Sequence, residues 1–281
     1  MDEGLALPNA DPDHSPGTTM RLLPTILATT ALAGSLQAQR SDFHWNKAIA
    51  AGSSVSIHNI SGDVRVTPST TGQVEVNGIK RGNSRYFDRV RAEVHETSRG
   101  ISICVLYNDT DSSCDEGGIH MHSNGDDGDC CRASMDLEVS IPANLGALSA
   151  ASVSGDVLVN GARGDVSANS VSGDVRLEHI HATSVSAHTV SGDVVVQADE
   201  LAGRGDLSFK SVSGNVTLQV PRTFEADLSM STVSGDIDSD FPLTLGNGRM
   251  NRHRVEARIG NGGRRLDVGT VSGDLKLRII R

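Results

Sequence analysis

Apolar and polar residues alternate along this chain with one irregularity that keeps returning. From Val166 to Leu177 the order is apolar-x-apolar-x-x-apolar-Ser-Gly-Asp-apolar-x-apolar. It recurs from Leu148 to Val159, Val185 to Val196, Leu207 to Leu218, Leu266 to Leu277 and, far upstream, Val55 to Val66, with an eroded copy from Leu228 to Ser239. Within each half the apolar places lie an even number of residues apart, so they share one face of an extended strand. The second and fifth places are small and polar, as in Ser167 and Ser170 or Ser186 and Thr189, and are predicted to face outward. Between the third and sixth places the step is odd. Keeping Val153, Val171, Val190 and Val212 inside therefore requires a bend or bulge near Ala168–Val171 and its equivalents. The Ser-Gly-Asp supplies a second corner, because glycine tolerates positive φ and aspartate bonds nearby backbone amides. The predicted turn residues are Gly62 and Asp63, Gly155 and Asp156, Gly173 and Asp174, Gly192 and Asp193, Gly214 and Asn215, Gly235 and Asp236, and Gly273 and Asp274.

Successive copies from Leu148 to Leu228 are offset by 18, 19, 22 and 21 residues, and the step from Leu228 to Leu266 is 38. A period near 20 residues predicts an all-β, single-domain β-solenoid of β-helix or β-roll type, whose coils bury their apolar faces only by stacking. The double step predicts a worn coil around Arg249–Gly260. Seven coils at the spacing of paired strands would make a rod on the order of 30 Å long. Aromatic residues are only 3% of the chain, which suits a thin interior of Val, Leu, Ile and Ala. A β-sandwich-like roll of the same strands is the competing architecture. Upstream, Val55–Ile60, Val64–Val66, Val74–Ile79, Val90–Val94, Ile101–Leu106 and Met135–Ile141 all read as strands, with Tyr86–Glu96 assigned to strand over helix because Val90, Ala92 and Val94 alternate. Lys276, Arg278 and Arg281 are expected to guard the last strand, and Phe43–Trp45 to cap the opposite end.

Residues 1–19 carry four acidic residues, three prolines and no basic residue, and read as a disordered leader or a misassigned start. Met20-Arg21 followed by the apolar Leu22–Leu36 reads as a signal peptide over residues 20–38, too short to span a bilayer. The mature chain is then residues 39–281, exported to the periplasm, the cell surface or the medium, with no transmembrane segment after cleavage. The formal net charge is −10. Most of it sits in one insertion, 104–131, with seven carboxylates from Asp109 to Asp129 and no Lys or Arg. Its local acidity argues against nucleic acid as a partner. All four cysteines, Cys104, Cys114, Cys130 and Cys131, fall there. In an exported chain they predict two disulfides, with Cys104 and Cys114 each joined to one of Cys130 and Cys131, since a bond between adjacent cysteines is strained.

Candidate chemistry is sparse. His120-Met-His122 could hold a transition metal and the aspartates calcium, but neither spacing matches a defined site and a solvated loop is the plainer reading. The aspartates of the modules should stack into a column, capping turns. Arg163-Gly-Asp165 and Arg204-Gly-Asp206 read as turn chemistry, and His179 and His181 as flanking a buried Ile180. No nucleophile elbow, phosphate loop or zinc-protease motif occurs, so an enzyme is not expected, nor any cofactor.

The repeated Thr/Ser-Val-Ser-Gly-Asp-Val at Ser152–Val157, Ser170–Val175, Thr189–Val194, Thr232–Ile237 and Thr270–Leu275 resembles the bacterial putative-adhesin family of β-strand-repeat domains. Ile259-Gly-Asn-Gly-Gly and the early Val55–Val66 copy after a secretion signal add to the likeness, which spans about Phe43 to Arg281. The resemblance implies a repeat β fold and carries no catalytic residues; the Cys-rich acidic insertion departs from it. Together these readings predict a non-catalytic, exported cell-envelope scaffold or adhesin-like binding module. Its partner would be an envelope polymer, surface glycan or protein, met by stacked Ser and Thr columns. The alternatives are an envelope metal or ligand sensor working through the acidic loop and, third, a glycan-acting enzyme.

Overall fold

The computed structural model describes residues 42–107, 111–115, 118–122, 132–245 and 250–280. Its frame is two long, mainly parallel sheets facing each other across a core of Val, Leu, Ile and Ala. Each coil contributes one strand to the front sheet, turns at a corner, and contributes the next strand to the back sheet. In order along the stack, eight rungs are seen among the described residues. Rung 1 is Gly100–Tyr107 with Ala133–Ile141, rung 2 Ser54–Ser61 with Val64–Pro68, and rung 3 Ala147–Ser154 with Val157–Asn160. Rung 4 is Asp165–Ser172 with Val175–Ala182, rung 5 Val185–His188 with Val194–Leu201, and rung 6 Leu207–Lys210 with Val216–Val220. Rung 7 is Arg265–Gly269 with Leu275–Ile279, and rung 8 Ala226–Ser231 with Ile237–Ser239. This is the solenoid architecture the period predicts, and equivalent module positions lie opposite one another, as with Leu148, Val166, Val185 and Leu207.

The stack does not follow chain order. Rung 2 precedes rung 1 in the chain, and rung 8 precedes rung 7, so at each end a coil has slipped into the slot behind its predecessor. The expected worn coil at Arg249–Gly260 is absent from the ladder. Arg254–Ile259 instead runs antiparallel along Ala226–Ser231, and Met250–Asn251 antiparallel beside it. At the far end Val90–Glu96 pairs antiparallel with rung 1, Val74–Gly82 does the same in the back sheet, and Phe43–Lys47 lies outermost, as its capping role required. Antiparallel neighbours end a parallel stack by giving the outer strand its backbone partners without continuing the coil. Because Leu275–Ile279 lies between two other strands, Lys276 and Arg278 do not guard an edge, and Arg281 lies outside the described residues; Arg278 bonds Asp238 and Asp240 of the true end coil. Within Tyr86–Glu96, strand begins only at Val90, after a 3-10 turn over Ser84–Arg89.

One sequence expectation fails at each of rungs 3 to 8. Inward and outward positions alternate without a break through the fifth place, so Ser152, Ser170, Thr189, Ser211, Thr232 and Thr270 are buried, and the valines after them are not. Val153, Val171, Val190, Val212 and Val271 are 44–46% exposed, and Val233, in the last coil, 71%. The cause is a backbone need. Each buried hydroxyl donates to the carbonyl of the turn glycine one rung below, as Ser170 Oγ does to Gly155 O at 2.9 Å and Thr189 Oγ1 to Gly173 O at 2.9 Å. A buried carbonyl must find a donor, and a valine methyl offers none. The valines stack on one another instead, and Val233, with a neighbour on one side only, is the most exposed.

The hydroxyl and aspartate ladders climb in stack order. Thr270 of rung 7 donates to Gly214 O of rung 6, and Thr232 of rung 8 to Gly273 O of rung 7. The Oδ1 of each turn aspartate accepts the backbone N–H of its counterpart one rung on, running Asp136, Asp63, Asp156, Asp174, Asp193, Asn215, Asp274 and Asp236 at 2.7–3.0 Å. The repeated Asp is therefore an acceptor, and Asn215 does the same work without charge. Asp193→Asn is expected to change unfolding free energy by no more than about 0.5 kcal/mol, whereas Asp193→Ala, which strands the Asn215 amide, costs about 1–2 kcal/mol. Urea denaturation of the two variants side by side checks this; equal losses would mean that charge, not the acceptor, matters.

Candidate interaction surface

The outward second place of the modules from Leu148 to Leu218 builds a column of serines on the front sheet. Ser149, Ser167, Ser186 and Ser208 lie in register on the front sheet, one strand spacing apart. Ser186 Oγ donates to Ser167 Oγ at 3.0 Å and Asn169 Nδ2 to the same oxygen at 3.3 Å, which ties these two hydroxyls together across the rungs. A shallow depression of about 360 Å³ runs over this column from Ser56 to Ser208, edged by Asp165, Ser184 and Asp206 at the corner. Beside it, between Gly52–Ser56, Thr97–Arg99 and Ser102, opens a second hollow of about 620 Å³. The fifth-place hydroxyls expected to share this face are inside the core, so serine supplies the second-place column and Asn169, His188 and Lys210 lie beside it.

Two histidines border the face. Burial, and second the Lys210 ammonium, hold His188 below the ordinary imidazole range; its Nε2 lies 3.1 Å from Ser208 Oγ. Burial likewise lowers His58, against the opposing pull of Asp115. At neutral pH both are uncharged, and the centre of the face offers neutral donors and acceptors.

The insertion forms a small hairpin, Asp111–Asp115 with Gly118–His122, laid on the outer side of rungs 1 and 2. The hairpin's own Cys114 is buried against Cys104 and Leu106 of rung 1 in a cluster separate from the main core, with Ile119 packed alongside and Gly118 against the His58 ring. Here the pairing expected for the cysteines is corrected. Cys104 is bonded directly to Cys114, because the chain reverses at once and brings their Cα atoms to 6.0 Å. Cys130 and Cys131 lie outside the described residues, as do Asp126, Asp127, Asp129 and the proposed signal peptide. His120 Nε2 meets Asp115 Oδ2 at 2.9 Å, so this histidine is engaged in a surface pair. On the back sheet, His179 and His181 flank the fully buried Ile180 as read, each bound to a carboxylate, Asp199 at 2.8 Å and Glu200 at 3.3 Å.

Sequence reading overlooked Ser134-Met135-Asp136, an eroded Ser-Gly-Asp that starts the aspartate ladder. Methionine stands where other rungs need glycine, because rung 1 has no parallel rung below it for a side chain to strike.

A family model described as Toastrack DUF4097 matches residues 26–278. Among solved structures, the chain is similar to a putative cell adhesion protein from Clostridium sporogenes, with 7% identity, a TM-score of 0.43 and coverage of 85% of this chain and 99% of that one. It is also similar to a putative adhesin from Bacteroides fragilis, with 11% identity, a TM-score of 0.32 and coverage of 85% and 96%. No curated protein matches it.

Proposed function

The chain belongs to the Toastrack family, and from that premise we propose that it is an exported, non-catalytic binding module of the cell envelope that uses its serine face to hold an envelope polymer or surface glycan. The observation that carries this reading is the register of Ser149, Ser167, Ser186 and Ser208 across one shallow depression. Each hydroxyl adds a hydrogen bond of about 0.5–1.5 kcal/mol at best, so affinity must come from repetition. Repetition is what a stack of identical rungs supplies. Serine loses little side-chain freedom on binding, and the ladders below it keep the spacing rigid. A polymer that repeats along its length could meet several rungs at once, whereas a single small molecule would meet one. The Met20–Ala38 reading and the disulfide support an oxidising compartment outside the cytoplasm.

The test fills the depression without disturbing the core. Cell-wall polymer from the source organism is expected to retain the mature chain on sedimentation, and Ser167→Lys with Ser186→Lys to cut that retention at least about tenfold. Equal retention of both proteins, or of neither, would remove the serine face as the binding surface.

A further inference from the structure

At the corner opposite the Ser-Gly-Asp turns, the slipped order of rungs 7 and 8 leaves a gap. The chain enters rung 7 through Gly260–Arg264, between the turn that feeds rung 6 (Ala202–Asp206) and the one that feeds rung 8 (Pro221–Glu225). A cavity of about 240 Å³ opens between these three turns, with Gly203, Arg204, Thr223, Glu225, Gly262 and Arg264 among its walls. Arg264 is 4% exposed. Its Nη2 donates to the carbonyls of Leu201 at 3.2 Å, Ala202 at 2.6 Å and Gly203 at 2.6 Å, while its buried Nη1 has no partner among the described residues. None of the ion pairs among the described residues includes Arg264 or Arg204. Burial alone pushes the Arg264 guanidinium down from its usual range.

A guanidinium removed from water needs an anion or a full set of acceptors, and this one has acceptors on one nitrogen only. We infer that the cavity beside Arg264 is a binding site for a carboxylate group, held between the Arg264 and Arg204 guanidiniums. The charge on the walls selects the anion. Two guanidiniums and the Glu225 carboxylate, which is itself bound by Asn261 Nδ2 at 2.8 Å, leave one positive charge. A carboxylate balances that charge, and a phosphate dianion overfills it. The volume is below that of ordinary small-molecule sites and fits one acidic unit: the end of an acidic sugar or of a peptide. This site is separate from the serine face, and its existence does not depend on that face binding anything.

Amide shifts of the full isotopically labelled chain test it, with four probes at matched ionic strength: glucuronate, N-acetyl-dialanine with a free carboxylate, glucose and inorganic phosphate. The carboxylates are expected to move the amides of Gly203, Gly262 and Gly263 saturably and glucose to leave them in place, the tighter carboxylate naming the source. Arg204→Ala is expected to weaken that binding about tenfold with unchanged melting temperature. Arg264→Gln, which removes the guanidinium, should abolish it; should this variant not fold, Arg204→Ala decides alone. Saturation by phosphate more tightly than by either carboxylate, no saturable shift, or equal affinity in Arg204→Ala overturns the assignment.

Discussion

Gly192→Ala is expected to lower the unfolding free energy by about 3–5 kcal/mol, the sum of two separate costs. Gly192 has φ +147°, a conformation that side chains rarely adopt. The added Cβ would also strike the carbonyl oxygen of Gly173, one rung below, and the Asp174 carboxylate at 2.9 Å. Neither neighbour can yield. The Gly173 carbonyl accepts from Thr189 and the Asp174 carboxylate from the Asp193 amide, so movement at one corner spreads into both ladders. Gly72 is the control. Its φ is +73° but nothing lies within 4 Å of its would-be Cβ, so alanine there costs only backbone strain, about 1–2 kcal/mol. Guanidinium denaturation midpoints of the two variants measure the difference. Similar losses would show that the rungs part easily and that the glycine column serves conformation, not close approach.

Replacing Cys104 and Cys114 together by serine has the next largest effect, and it is local. The bond closes a segment with a sequence separation of 10, which corresponds to about 3 kcal/mol of chain entropy. The hairpin it pins rests on a cluster of its own, apart from the main core. Amides of Asp111–Asp115 and Gly118–His122 should therefore exchange about a hundredfold faster, while those of rungs 3–7 keep their protection. Loss of protection throughout the stack would mean that the hairpin braces the solenoid. Acid should favour the same opening. His58 is held below its ordinary value by burial under the hairpin, so the closed form binds fewer protons than the open one. That contribution is complete above about pH 6.5 and is lost as pH falls towards the lowered value.

Much of the molecule was legible in its letters, and the failures have definable causes. Valines spaced by two, closed by Ser-Gly-Asp and repeating near 20 residues, leave few arrangements besides a stack of two-stranded coils. The upstream strands and the Phe43 edge followed from the same alternation. The corner between the third and sixth places did not. Alternation alone cannot say whether a serine or the adjacent valine turns inward when both are small, and the deciding partner, a glycine carbonyl, belongs to another rung. The cysteine pairing failed because elimination among four residues ignored how quickly the chain doubles back after Tyr107. The cavity at Arg264 could not be read at all, since nothing in Gly260–Arg264 signals that two distant turns will flank it.

By itself, the sequence determined the contents of each coil: which residues form strands, where glycine is obligatory, and that an aspartate or asparagine must follow. These are local consequences of side-chain period and backbone conformation, repeated until they leave no doubt. Only the tertiary structure decided the order of the coils, the face each valine presents and the gap that order leaves around Arg264. The physical reason is that every module offers the same apolar face and the same ladder groups on both sides. The repeated modules therefore do not spell out their own order, and antiparallel strands close the stack at its two ends.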